Sequence, residues 1–282
     1  MIKQLKHTFY LSNFSTYNYL TSLKFKVVQG IVDSMAQFQL SWLNWFLAFL
    51  ASFILGMGKA GVKGLGVLIV TLMAILFGGK ASTGILIPLM VVADILAVFY
   101  YNRHTQWKFL LKILPTMVLG VLIGVWFGND ISEKLFKQIM AIFIILTVIM
   151  MVWMDRKRNM AVPKHWFFAS SMGLLSGITS MIGNLAGSFA DIYFLAVRLP
   201  KNQFIGTAAW LFLIINVFKL PFHIFVWKTV TSDSLLLNLF LIPGILLGFI
   251  SGVALVKLLN NEVYRKFIMV VTAIGALLIL FR

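Results

Sequence analysis

The feature that most constrains this chain is a succession of apolar stretches too long and too numerous for a soluble core. Residues 40–58, 81–101, 110–128 and 136–153 in the first half, and 166–184, 204–224, 235–256 and 264–281 in the second, can each cross a hydrocarbon layer as a helix. Two further apolar pieces, 65–79 and 187–198, are short. At roughly 1.5 Å per residue the first reaches only about 22 Å, against a layer of about 30 Å. Hydrophobic residues make up 61% of the 282 and charged residues only 11%, which is the composition of an integral membrane protein. Backbone polar groups in hydrocarbon must satisfy one another, so consecutive apolar runs of this length imply helices.

The halves repeat one plan. Lys80 matches Lys201, Trp107 and Lys108 match Trp227 and Lys228, and Gly120 and Gly124 match Gly244 and Gly248. Glu133, Lys137, Ile139 and Met140 match Glu262, Lys266, Ile268 and Met269. The expected fold is therefore an all-α membrane protein of two homologous helical repeats. It has about eight full transmembrane helices plus two short or broken ones, and an amphipathic N-terminal arm. The parts are the arm at 1–39, a first repeat at 40–153, a basic connecting loop at 154–165 and a second repeat at 166–282. In the arm, Leu23, Val27, Ile31 and Met35 recur at helical spacing beside Lys24 and Lys26, which suits a helix lying on the membrane surface or a disordered arm. Each GxxxG reads as close helix packing.

Loop charges give an orientation. The arm, the loop at 102–112 and the loop at 154–165 are rich in Lys and Arg, and all three lie inside if the two short segments are not counted as crossings. The N-terminus is then cytoplasmic, with eight crossings. Lys257, Arg265 and Lys266 fit this count poorly, and an inverted five-plus-five repeat stays open.

Between the first two apolar runs lies GMGKAGVKGLG, residues 56–66, and the second half carries GITSMIGNLAG, residues 177–187. Glycine-rich interruptions with cations are tolerated at membrane depth only against protein or a wet cavity, and a helix restarting there points unpaired N–H groups into the gap. Short, interrupted segments in corresponding places of two halves mark a transporter site. Six cations (Lys59, Lys63, Lys80, Arg198, Lys201, Lys219) but only two carboxylates (Asp94, Asp191) fall in or beside the apolar segments, which favours an anionic ligand. Lys80, Arg198 and Lys201 read as helix-end residues that snorkel to the surface. The candidate binding residues are Gly58, Lys59, Gly61, Lys63 and Gly64 from the first break, Gly183, Asn184 and Gly187 from the second, and Thr207, Asn216 and Lys219 beyond it. Asp94, Asp191 and His223 are candidates for coupling. Asn216, Lys219 and His223 share one helical face, loosened by Pro221. In a competing reading Lys59 snorkels and Lys63 neutralises Asp94.

Enzyme signatures are absent or broken. GGKAST at 78–83 lacks the spacing of a nucleotide loop, and there is neither an HExxH helix nor a GxSxG elbow. With no cysteine, thiolate chemistry is excluded. An intramembrane aspartyl pair of Asp94 and Asp191 is supported by the two carboxylates alone.

The runs GMGKAGVKGLG, GGKASTGILIP, YNRHTQWK, GITSMIGNLAG and RLPKNQFIGT together resemble the sulfite exporter TauE/SafE family of membrane permeases, over residues 45–281. Many members carry a GxGGG cluster after the first helix, which Lys59, Ala60 and Lys63 interrupt here. The resemblance implies a permease of the plasma (inner) membrane, not an enzyme, that exports or exchanges small sulfur-containing anions such as sulfite or organosulfonates without an ATPase subunit. An anion channel is the alternative. The expected partners are a small anion and the lipid bilayer, with a homodimer left open; no nucleic acid, metal or cofactor is expected.

Overall fold

The computed structural model describes residues 38–129, 131, 132, 134–136, 138, 139, 142, 143, 145, 146, 149, 166–260 and 263. The expectations for the arm before residue 38, the loop at 154–165, the segment at 264–281 and part of 136–153 lie outside these, as do the matches built on Glu133, Lys137 and Met140. Every regular element among the described residues is helical: α1 (Trp42–Lys59), α2 (Gly66–Phe77), α3 (Gly79–Tyr101), α4 (Trp107–Asn129), α5 (Trp166–Gly183), α6 (Ala186–Ala196), α7 (Lys201–Pro221) and α8 (Ser232–Leu258). Six of these are long and apolar enough to cross a membrane, α7 being extended by a π-turn at Phe222–Val226. The other two, α2 with 12 residues and α6 with 11, are short. The chain divides into a unit ending at Trp45 and a unit of 46–282. In the first, the Ser41 hydroxyl accepts from Asn44 N–H at 3.2 Å and caps the start of α1.

Glycines set which helices lie side by side. A Cβ at Gly244 would strike Ser52, one at Gly248 the backbone of Phe53, and one at Gly252 the backbone of Met57. The numbers rise together, so α1 and α8 run in the same direction. The same holds for α4 and α5, where Gly173 faces Ile113, Gly177 faces Met117 and Gly120, and Gly124 faces Met181. These are small-residue helix contacts, as GxxxG spacing leads one to expect. The central pair is reversed: Gly206, near the start of α7, abuts the Tyr101 carbonyl at the end of α3, while Gly84, near the start of α3, abuts the carbonyl of Thr229 beyond α7. Thr229 lies three residues before α8, and Phe249 of α8 packs edge-on against Tyr100 with ring centroids 6.2 Å apart; α8 therefore runs in the direction of α3. Likewise Trp107 meets Trp210, and Trp227 Nε1 donates to the Val125 carbonyl at 3.3 Å, so α4 follows α7.

Thus α1, α3 and α8 point one way and α4, α5 and α7 the other. This corrects the expectation that the short segments leave the chain's direction unchanged, under which α1 and α3 would run opposite. They run together because α2 turns the chain back. It begins at the depth of Met90, midway along α3, and one residue, Gly78 at φ +89°, joins its end to the start of α3. Only glycine adopts that backbone state freely.

Lys80 and Lys201 do not snorkel. Each stands in the first turn of a central helix and donates to carbonyls ending another: Lys80 Nζ to Asn129 O at 2.8 Å, and Lys201 Nζ to Val256 O at 2.9 Å and to Leu259 O. A cation at a helix C-terminus satisfies orphan carbonyls and complements the dipole. Arg198, which is exposed, fits the surface reading. The match of Trp107 with Trp227 does not extend to environment: Trp227 is buried against Gly128 and under the Lys80 amine, whereas Trp107 is 47% exposed.

Candidate functional site

The first break begins where α1 runs into Gly58-Lys59-Ala60-Gly61. Val62 N–H bonds back to Met57 O at 3.0 Å, closing a wide last turn, and Gly61 takes φ +117°, with no room for a Cβ beside Ile205. The carbonyl freed at Ala60 accepts from the Tyr101 hydroxyl at 2.9 Å. In the second break Asn184 adopts a left-handed conformation at φ +55°, which asparagine tolerates better than most residues. The Ala186 carbonyl there accepts from the Ser176 hydroxyl at 2.7 Å. Each break is thus held by side chains of a long helix, as buried irregular backbone requires.

Both breaks line one cavity of about 80 Å³. One water needs roughly 10–15 Å³, so there is space for a small oxyanion. Gly58, Lys59, Lys63 and Gly64 reach it from the first break, Asn184, Gly187 and Asp191 from the second, and Phe212 and Asn216 from α7. The short helices α2 and α6 both begin at its wall, through Gly66 and Ala186, and no side chain caps either start. Two positive helix ends therefore face the cavity.

The charged groups divide by role. Lys59 Nζ lies 2.7 Å from Asp94 Oδ1, and Asn216 Nδ2 donates to Asp94 Oδ2 at 2.6 Å. Asp94 is fully buried and does not line the cavity, so this ion pair ties α1 to α3 and α7. The competing reading is corrected: Lys59, not Lys63, neutralises Asp94, because the last turn of α1 ends beside the middle of α3 while Lys63 lies beyond the turn at Gly61. Lys63 N–H donates to Gly61 O at 2.9 Å, but among the described residues its side-chain amine has no hydrogen bond and no carboxylate within ion-pair distance. Its amine stands 5.0 Å from the centroid of the Phe212 ring and 5.9 Å from that of Phe204. The Lys59 amine lies 4.9 Å from the Phe212 centroid. Asp191 is 8% exposed and its Oδ1 has no hydrogen-bond partner. Asp94 is engaged by Lys59 and Asn216, an arrangement that differs from two carboxylates sharing a proton.

Other candidates stand away from the cavity. Lys219, with no exposed surface, donates to Ser180 O at 2.9 Å and to Asn184 Oδ1 at 2.8 Å, and Asn184 Nδ2 donates to Thr83 O at 3.1 Å. It braces the second break and orients Asn184. Gly61 and Gly183 shape the breaks from behind the wall. The Thr207 hydroxyl accepts from Gln106 N–H at 2.9 Å and donates to Gln203 O, fixing the α3–α4 connection. His223 Nδ1 lies 2.9 Å from Thr229 Oγ1 in the π-turn that ends α7. Sequence reasoning missed Phe212, one of 26 phenylalanines with no local mark to single it out.

Among the described residues, six long apolar helices and two short ones, folded around a cavity lined by charged side chains, define a polytopic integral membrane protein. The sulfite exporter TauE/SafE family matches residues 45–279, and the chain belongs to that family of membrane permeases. No curated protein and no solved structure matches the chain.

Proposed function

We propose that the chain is a secondary transporter, acting as an exporter, of small sulfur-containing anions such as sulfite or organosulfonates, and that the anion sits in the cavity between the two breaks. The observation that carries this reading is Lys63, a buried cation at the cavity wall with aromatic neighbours but no carboxylate partner among the described residues. A charge at that depth is costly unless something compensates it, and an anion would do so between two uncapped helix starts. Binding at the meeting point of two interrupted segments is how transporters with inverted repeats hold substrate. We read the antiparallel pairs α1 and α5, α3 and α7, and α4 and α8 as such a duplication, with the Lys80 and Lys201 clamps as equivalent contacts.

The test is counterflow in proteoliposomes. Vesicles loaded with methanesulfonate are expected to accumulate labelled sulfite transiently, without chemical conversion. Uptake that simply follows the membrane potential, with no counterflow, would instead favour a channel.

The helix directions also bear on orientation. Arg103, Lys108, Lys112, Arg198, Lys201 and Lys257 lie at one end of the bundle, which Arg156, Lys157, Arg158 and Lys164 adjoin in sequence just before α5. The other end has Lys80, Lys134 and Lys228 with Asp233, and the arm's Lys3, Lys6, Lys24 and Lys26 adjoin it in sequence before α1. The first end carries more cations, and by the positive-inside rule we read it as cytoplasmic; this accommodates Lys257 and puts the start of α1 on the opposite side, in place of the cytoplasmic N-terminus that loop counting suggested.

A further inference from the structure

We infer that Asp191 is the proton-carrying group of the anion site: its carboxylate balances the charge of the cavity's lysines across the cavity without pairing directly with them, and one proton binds to it with each univalent anion admitted. This rests on the transport reading above and names the coupling group within it. The two membrane carboxylates are not equivalent. Asp94 stands behind the wall with both oxygens engaged, one by Lys59 and one by Asn216. Asp191 stands on the wall, more than nine-tenths buried, with Oδ1 unpartnered.

The groups facing Asp191 can be named from each element around it. Lys59 and Lys63 come from the first break, Phe212 and Asn216 from α7, and Gly187 from its own segment, with the Cβ position of Gly187 3.3 Å from Asp191 Oδ2. Lys59, Lys63 and Asp191 are the titratable groups lining the cavity among the described residues, and Asp94 lies behind Lys59. With all four ionised, these two cations and two carboxylates cancel; Lys219 stands behind Asn184, off the cavity wall, where its amine donates to Asn184 Oδ1 and Ser180 O. A univalent anion entering alone would leave a net negative charge in a buried, weakly polarisable place, and a free carboxylate beside it would repel it. A proton on Asp191 cancels both penalties. The carboxylate becomes a neutral acid whose O–H can donate to the anion, and the charge of Lys63 is left for the ligand to balance. The proton comes from the solution that delivers the anion and leaves with it, so the two move in the same direction.

Methanesulfonate stays ionised across the working pH range, so it separates protonation of the protein from that of the ligand. Its binding to the purified full chain is to be measured by calorimetry from about pH 5 to about pH 8, in two buffers of different ionisation enthalpy, for wild type and Asp191→Asn. Expected for wild type is an affinity that falls by up to about tenfold per pH unit once Asp191 ionises, with close to one proton taken up per anion, because binding and protonation are reciprocally linked. Asp191→Asn is expected to bind with an affinity independent of pH and no proton uptake. Wild-type binding that is flat with pH and takes up no proton overturns the inference while leaving the transport reading intact. So does a variant that keeps the wild-type slope. If Asp191→Asn fails to fold, the wild-type proton count decides alone. A wild-type protein that binds neither methanesulfonate nor sulfite at any pH overturns the transport reading itself, a different pattern from binding that ignores pH.

Discussion

At the scale of single residues, two lysines four positions apart end in different roles because a turn intervenes. Lys59 is the last residue of α1 and meets Asp94, whereas Lys63 follows the left-handed Gly61 and faces the cavity. Lys59→Gln leaves Asp94 buried and uncompensated, and is expected to destabilise the fold by about 3–5 kcal/mol. Asp94→Asn in the same chain should restore much of that, since the amide needs no counter-charge. Denaturation in detergent of the two single variants and the double one measures the coupling; additive losses would show that the pair does not hold α1 to α3. Lys63→Gln is expected to behave oppositely. Stability stays near wild type, while sulfite or methanesulfonate binding weakens by about 1.5–3 kcal/mol, the scale of a hydrogen bond to a charged group. Unaltered affinity would remove Lys63 from the site.

At the scale of elements, the long helices are positioned by glycines and by lysine clamps. A Cβ at Gly120 would lie 2.2 Å from the Leu174 carbonyl, and one at Gly248 would lie 1.9 Å from that of Phe53. Gly120→Val and Gly248→Val are therefore expected to force α4 from α5 and α8 from α1, lowering stability by about 1–3 kcal/mol or more through overpacking. Gly66, where nothing lies within 4 Å of the Cβ position, should accept alanine. Thermal unfolding of the three variants checks the contrast; equal losses at all three would mean that glycine acts here through backbone freedom and not close approach. Lys80→Met and Lys201→Met should each fray the helix end they clamp, seen as faster amide exchange near Asn129 and Val256 respectively.

For the whole molecule, the direction of each helix decides which loops share a side of the membrane. The chain contains no cysteine, so single cysteines report without interference. With cysteine at Arg103, a membrane-impermeant maleimide added to intact cells is expected to give no labelling, and with cysteine at Lys228 ready labelling. The reverse result would invert the proposed orientation while leaving the fold untouched.

The sequence by itself determined the class: apolar runs of this length leave the backbone no choice but helices across a membrane. It also marked the two breaks, because glycine and lysine at that depth make no sense against lipid. Loop charge and segment length could not say that α2 turns the chain back, since a 12-residue helix is neither a crossing nor a loop by those measures. Pairing was equally out of reach. Whether Lys59 or Lys63 neutralises Asp94, and which of Lys219, Thr207 and His223 stand away from the cavity, depends on the turn at Gly61 and on how α7 lies against α3. Contacts between segments far apart in the chain exist only once the helices have packed, so no local pattern of residues records them.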